Sequence, residues 1–165
     1  MSRSMKLRSQ RGVTLIESLI AILLFSIGVL AIIGMYANAV AISTDAQYRL
    51  EATNHAHRIL NRMLAEANYA GAAELAASME NYVHNPETDG PCDFGGDESE
   101  HDAVKQWAES IMKAGSGLPG VKSSFLQITF DSDANNLVTV TVCWQAPSDK
   151  EPRRETVAMN INSVM

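Results

Sequence analysis

The sequence predicts an α+β protein in which a long N-terminal helix is followed by a small antiparallel sheet. From Val13 to about Asn68 the residues follow a helical pattern, and no proline occurs between positions 13 and 85. In the last third of the chain apolar and polar residues alternate, which is the period of half-buried strands. At 165 residues the chain has room for one modest domain beside its apolar run.

The first half of the predicted helix is apolar on every face. Residues 13–42 contain no Lys, Arg or Asp, and Glu17 is their single charged side chain. A helix of this length measures about 45 Å, more than the roughly 30 Å of a bilayer's hydrocarbon core. We therefore expect residues 13–42 to span a membrane.

The second half of the helix, residues 43–68, is amphipathic. Its apolar residues recur at three- and four-residue steps: Ala52, Ala56, Ile59, Leu60, Met63, Leu64 and Ala67. The other side is predicted to hold the polar residues Glu51, His55, Arg58, Arg62 and Glu66. This apolar stripe is expected to cover one face of the sheet.

Between helix and sheet the sequence predicts a weak helix near residues 72–83 and then a loop at residues 85–102, which are rich in Gly, Pro and Asp. A short helix over residues 104–112 follows, with Ser99 as a candidate N-cap and Gly115 as a candidate stop.

The predicted sheet is a three-stranded meander. Its strands are expected at residues 126–130, 138–144 and 157–161, with turn residues at 131–136 between the first two. Trp107, on the short helix, and Trp144, on the second strand, both lie on apolar stripes, which favours a core role over a binding role.

The charges are unevenly distributed. Arg3, Lys6, Arg8 and Arg11 precede the apolar run without an acidic residue among them. The rest of the chain holds 9 Lys and Arg against 19 Asp and Glu, a net charge of −10. So acidic a domain is poorly suited to binding nucleic acid through its phosphates. The basic flank keeps the N-terminus cytoplasmic and predicts export of the far end.

Both cysteines, Cys92 and Cys143, fall in the exported part, where a disulfide would persist. A bridge would contribute roughly 4 kcal/mol on the chain-entropy model. Two separate buried thiols are the alternative.

The sequence carries no pattern typical of an enzyme or of a cofactor site. The acidic residues of the predicted loop, near His84 and His101, could suggest calcium, but their spacing does not fit the twelve-residue calcium loop, and a solvated acidic loop is favoured. His55 and His57 are two apart on a helix and point to different sides, so both are interpreted as structural. No catalytic residue and no metal ligand is predicted.

The composition changes at Gly12–Val13, before the apolar run, whereas a secretory signal is cut after it. A cut there would remove the four cations and leave a new amine one helical turn from Glu17, giving this carboxylate a partner. The stretch RGVTLIESLIAILLFSIGVLAIIG resembles the class III signal of type IV pilins and type II secretion pseudopilins. An ordinary signal anchor with an isolated glutamate is the alternative.

The resemblance implies a pilin-like fold and cleavage after Gly12 by a prepilin peptidase, with methylation of Val13, where the family usually has Phe. It implies a removed leader, residues 1–12; a membrane and fibre-core segment, residues 13–42; an amphipathic half-helix, residues 43–68; and a periplasmic domain, residues 69–165. Glu17 is then expected to pair with an N-terminal amine during assembly.

The continuation QYRLEATNHAHRILNRMLAEAN and the later VTVTVCWQAP resemble the PilV family of minor pilins. This implies a subunit held in the inner membrane by a single pass and then incorporated at the start or tip of a type IV pilus. The implied partners are other minor and major pilins and the inner-membrane assembly platform. A type II secretion pseudopilin and a signal-anchored periplasmic binding module that never assembles remain alternatives.

Overall fold

The structure, a computed structural model, describes residues 13–113, 115 and 117–162. Along these residues the helices and strands are α1 (Val13–Glu66), α2 (Ala72–Glu80), β1 (Glu87–Gly90), β2 (Asp93–Gly95), α3 (Asp102–Met112), β3 (Leu126–Asp131), β4 (Leu137–Trp144) and β5 (Arg153–Asn160). The predicted α+β class is confirmed. The chain divides into two compact units, which end and begin at Thr44 and Asp45.

In the second unit, α1 contributes the predicted apolar stripe to the core. Five of its residues are buried there: Ala52, Ala56, Ile59, Leu60 and Met63. They pack with buried residues of α2, α3 and the sheet, among them Trp107 and Trp144, whose predicted core role is confirmed. The small alanines let neighbouring elements approach α1 closely.

His55 also belongs to the buried side of α1, so its predicted place among the polar residues was wrong. It lies three positions after Ala52 and four before Ile59, which puts it on the same helix face. The indole Nε1–H of Trp107, on α3, donates to the His55 carbonyl at 2.9 Å. His57 is exposed. The packing of α3 against α1 therefore widens the buried face beyond the apolar stripe.

The sheet is the predicted meander, with strand order β3-β4-β5 and antiparallel pairing throughout. Asp131 Oδ1 accepts hydrogen bonds from the backbone N–H groups of Asp133 and Ala134, and Asn135 and Asn136 take positive φ. Asp and Asn tolerate these conformations, which is why the chain turns between β3 and β4.

The last strand begins at Arg153, four residues before its predicted start at Val157. Its first half lacks the apolar alternation of a strand, but β4 pairs with it along its whole length. Arg153 and Glu155 alternate with exposed residues and make ion pairs to Asp45 and Arg49 of α1. Charged side chains thus take the inward positions that apolar ones occupy further along.

The predicted loop at residues 85–102 contains a two-stranded sheet, β1 paired with β2, so its assignment as loop alone was wrong. The hairpin buries few apolar side chains of its own, chiefly Phe94, and so shows no alternating pattern. It is attached instead by polar contacts. Gln127 Nε2 donates to the Asn85 carbonyl and to Thr88 Oγ1, both at 3.1 Å.

α3 begins with His101 as its N-cap, whose Nδ1 accepts from the Ala103 N–H at 3.2 Å. The predicted N-cap, Ser99, was wrong: its hydroxyl donates to the Asn81 carbonyl at 2.6 Å and accepts from the His101 N–H. The helix ends at Met112 with Lys113 as its C-cap, before the predicted stop at Gly115. The Ser99 side chain, which the sequence assigns to capping α3, therefore bonds to the end of α2.

His84 ties the segment after α2 to the sheet. Its backbone N–H and C=O bond to Ile128 of β3 at 3.0 and 2.9 Å, and its Nδ1 accepts from the Ser99 N–H at 3.1 Å. The side chain is 4% exposed, and its Nε2 has no hydrogen-bond partner among the described residues. Burial lowers the pKa of His84, and the nearby Glu98 carboxylate opposes this only in part.

We predict that the protein loses stability as the pH falls below about 6.5, the value of an unperturbed histidine, because the unfolded chain then binds a proton that folded His84 excludes. One such proton contributes at most about 1.4 kcal/mol per pH unit. His84→Asn, which keeps a short acceptor, should flatten the dependence of unfolding free energy on pH. The measurement is denaturant unfolding between pH 7.5 and 5.

The matched control is His57→Asn, on the exposed side of α1, which should leave the slope unchanged. An identical pH slope in wild type and His84→Asn would contradict the prediction.

Candidate functional site

The first part of α1 presents an uncovered apolar surface. Every residue from Leu15 to Ser43 is exposed, including the bulky side chains of Phe25 and Leu30. Among the described residues, this is the one helix long and apolar enough to cross a membrane. Exposed apolar patches of more than a few hundred Å² mark membrane or protein contacts. The segment is therefore suited to lipid or to other apolar helices.

Two hydroxyl groups of this segment bond within the helix itself. Ser26 Oγ donates to the Ile22 carbonyl at 2.8 Å, and Thr44 Oγ1 donates to the Val40 carbonyl at 3.0 Å. Such bonds to the residue four positions earlier hide a polar group from hydrocarbon. The surface of this segment is therefore mainly apolar, although its sequence includes polar residues.

Glu17 is the single charged residue of the apolar segment, and its side chain is exposed. No ion pair joins it to another described residue. A carboxylate in hydrocarbon costs several kcal/mol unless it reaches the interface or a partner. The exposure and the cost together make Glu17 a candidate for pairing with a group outside the described chain.

The described residues include only one side of the predicted cleavage site. Gly12 and the predicted leader, residues 1–12, lie outside the described residues. Val13 is the first residue of α1. Val13 and Glu17 are therefore four positions apart on one helix, about 6 Å along its axis and on one side of it.

Two glycines of the apolar segment are not required by any close contact with the other described residues. A Cβ added at Gly28 or Gly34 would meet no other described residue within 4 Å. Glycine costs up to about 1 kcal/mol in a helix interior, and in membrane helices small residues allow another backbone to approach. Their presence is consistent with close helix packing.

Cys92 and Cys143 form a disulfide, with a Cα–Cα distance of 5.9 Å. Cys92 lies in the turn between β1 and β2, and Cys143 lies on β4. Both are buried in a small cluster with Phe94 and Phe125, separate from the main core. The bond thus attaches the hairpin to the sheet where few apolar contacts do.

Arg153 makes an ion-pair cluster that sequence reasoning missed. Its guanidinium binds Asp149 at 3.0 and 3.2 Å and also binds Asp45, the first residue of the second unit. Arg49, one turn further along α1, pairs with Asp45 at 3.1 Å. Because Asp45 and Arg153 are 108 positions apart, no local pattern could reveal the contact.

Acidic residues of the 85–102 segment do not converge. Within the described part of the chain, no group of three or more His, Cys, Asp or Glu is placed to hold a metal ion.

His101 stacks on Tyr82 with ring centroids 4.1 Å apart. Burial, and then a hydrogen bond to Glu66, raises the pKa of Tyr82 well above its usual value. These contacts hold the end of α1 against the segment after α2.

Comparison with known families adds one finding. Residues 7–33 match the prokaryotic N-terminal methylation motif, a stretch that contains Gly12, Val13 and Glu17. The match supports a type IV pilin-like or pseudopilin protein with a class III signal, and the motif implies processing by a prepilin peptidase. No curated protein and no solved structure matches the chain.

We predict that Cys143→Ser lowers the free energy of unfolding by roughly 2–5 kcal/mol, because the unfolded chain is then free of a cross-link. The cross-link closes a separation of 51 positions, for which the chain-entropy model gives about 4 kcal/mol. Denaturant unfolding of the extracted protein measures the change, and reduction of the wild type should produce a similar loss.

The double variant Cys92→Ser, Cys143→Ser serves as control and should be no less stable than the single variant. Two free thiols in protein extracted without reductant would refute the pairing.

Proposed function

We propose that the chain is a minor pilin of the PilV type: a prepilin held in the inner membrane, processed at Gly12–Val13 and incorporated at the start or tip of a type IV pilus. The observation that carries this proposal is the bare apolar segment of α1 within a chain whose residues 7–33 match the methylation motif. The role is structural, without catalysis or cofactor.

Processing changes the charge of the N-terminus. Hydrolysis of the Gly12–Val13 amide releases the leader with Arg3, Lys6, Arg8 and Arg11 and leaves an amine on Val13. Methylation of this amine keeps its positive charge. The cationic anchor that orients the precursor is thereby exchanged for one cation at the tip of the apolar helix.

The new amine provides the partner that Glu17 lacks among the described residues. Within one chain the two groups are one turn apart, and in a stack of parallel helices the carboxylate reaches the amine of a neighbour. Lipid tails and apolar helices compete about equally for an apolar surface, so helix exchange gains little from burial alone. A charge pair in low dielectric therefore supplies axial register and specificity.

The same apolar surface serves first against lipid and later against other helices. Gly28 and Gly34 support the second role, since a Cβ at either position would meet no other described residue within 4 Å and another backbone could approach there. The acidic, disulfide-bonded second unit fits a periplasmic location, because disulfides persist in an oxidising compartment. Its partners are the peptidase, other minor and major pilins and the inner-membrane assembly platform.

A type II secretion pseudopilin would share the methylation motif and the bare helix. The segment 47–68 and the stretch VTVTVCWQAP, which begins in β4, favour the minor pilin through their resemblance to the PilV family. Deletion of the gene separates the two: loss of pili with normal protein secretion supports a minor pilin, and the reverse supports a pseudopilin.

We predict that the mature chain begins at N-methyl-Val13 and that Gly12→Leu blocks processing, because a side chain at this position obstructs the peptidase. Intact mass and N-terminal analysis of membrane-extracted protein, with and without the peptidase, measure both. Ser4→Leu, in the leader and eight positions before Gly12, is the matched control and should be processed normally. Wild-type protein that retains residues 1–12 in the presence of the peptidase would falsify the proposal.

We predict that Glu17→Ala inserts in the membrane and is processed normally but loses assembly. Removal of a carboxylate from hydrocarbon favours insertion, whereas docking to a partner loses its charge pair. Crosslinking of membrane-held subunits and pilus counts for wild type, Glu17→Ala and Glu17→Asp give the readout.

Ser26→Ala removes a polar group of the same helix that is already bonded to the Ile22 carbonyl, so it should assemble like wild type. If Glu17→Ala is processed and forms wild-type crosslinks and pili, the charge-pairing account is wrong.

A further inference from the structure

Helix α3 is flanked by two surface depressions within the second unit. One is a groove of about 460 Å³ between α1 and α3, and the other is a pocket of about 190 Å³ on the opposite side of α3. Gln106 and Ser110 line the groove, whereas Glu109 and Met112 line the pocket. At 100° per residue, the α3 residues that line the groove (Ala103, Gln106, Trp107 and Ser110) centre about 160° around the helix from those that line the pocket (Lys105, Ala108, Glu109 and Met112).

The groove has apolar residues at its base and is also lined by an arginine that forms no ion pair with the described residues. Ile59 and Trp107 lie at its base, and the Trp107 N–H is already bonded to the His55 carbonyl. Of the two arginines that line it, Arg62 pairs with Glu66. Arg58 makes no hydrogen bond or ion pair with the described residues. A guanidinium with free donors beside apolar surface suits an acidic side chain that is followed by an apolar one.

The side of α3 that lines the pocket carries an acidic side chain followed by an apolar one. Glu100 pairs with Lys105, and Glu98 accepts from Ser123, but Glu109 has no side-chain partner among the described residues. Met112, one turn further along, is 39% exposed. Glu109 and Met112 are three positions apart and therefore neighbours on the helix surface.

We propose that the groove of one copy receives the Glu109–Met112 flank of α3 from a second copy, with Glu109 on Arg58 and Met112 against the apolar floor. The occupant follows from complementarity of charge and polarity between two surfaces of the same chain. Both surfaces flank one helix, and among the described residues of one copy no ion pair joins Arg58 to Glu109.

The contact is heterologous, because each copy uses one surface as donor and the other as acceptor. This inference rests on the proposed function in so far as copies are held side by side in a membrane or fibre. One groove is small, so the contact is expected to depend on this confinement and its high effective concentration.

The test uses two differently tagged full-length copies in one membrane, with Gln106 replaced by a photoreactive phenylalanine analogue in one of them. Irradiation should link the groove to the Glu109–Met112 region of the other copy, identified by mass spectrometry of the linked peptide. Arg58→Glu or Glu109→Arg alone should reduce the yield at least tenfold, since like charges then meet. The double variant Arg58→Glu, Glu109→Arg should restore most of it.

Arg154→Glu is the matched control: it reverses an exposed cation of β5 outside the groove and should leave the yield unchanged. Formation of the Cys92–Cys143 disulfide and unchanged thermal unfolding verify that each variant folds. A double variant that fails to recover, or a link to any other segment or to a different subunit, overturns the inference. If processing and pili remain normal in that case, the proposed function stands without it.

Discussion

One helix that meets two environments is the constraint on which the rest of this structure depends. α1 runs from Val13 to Glu66, yet its residues from Leu15 to Ser43 are all exposed while its later residues enter a core. Exposed apolar surface on this scale is unfavourable in water, so the segment requires lipid or other helices. Every proposed step, from anchoring to fibre assembly, uses the same surface.

The second unit stabilises the later part of α1 by means that differ from place to place. The buried stripe of α1 packs against α2, α3 and the sheet, and apolar burial is the principal term there. Where β5 begins, Arg153 and its carboxylate partners replace apolar contacts. These pairs are partly exposed and screened by solvent, so they specify position more than they add stability. The hairpin β1–β2 depends on the disulfide and on polar contacts around Asn85.

In the proposed assembly the two units have different roles. The apolar segment offers area with little selectivity, because lipid competes for it. Glu17 and the processed N-terminus add a charge pair that sets axial register. The flanks of α3 add a weak contact between copies that is specific in direction. A strong generic surface combined with weak specific contacts lets subunits remain in the membrane until they are aligned with a neighbour.

Local pattern by itself determined the long helix, the meander, the short helix near residues 102–112 and the core positions of Trp107 and Trp144. In each, the apolar period extends over several residues and coincides with the buried face, so periodicity and burial carry the same information. The predicted end of α1 at Asn68 lies within two residues of the observed end at Glu66.

Only the tertiary structure decided the burial of His55, the cap at His101, the early start of β5 and the hairpin inside the predicted loop. These depend on contacts between residues far apart in the chain: Trp107 with the His55 carbonyl, Arg153 with Asp45, and Cys92 with Cys143. The groove and the pocket beside α3 belong to the same class, because each is formed by residues from separate elements. A sequence pattern reports the neighbours of a residue along its own helix or strand, whereas burial and pairing depend on the element that packs across from it.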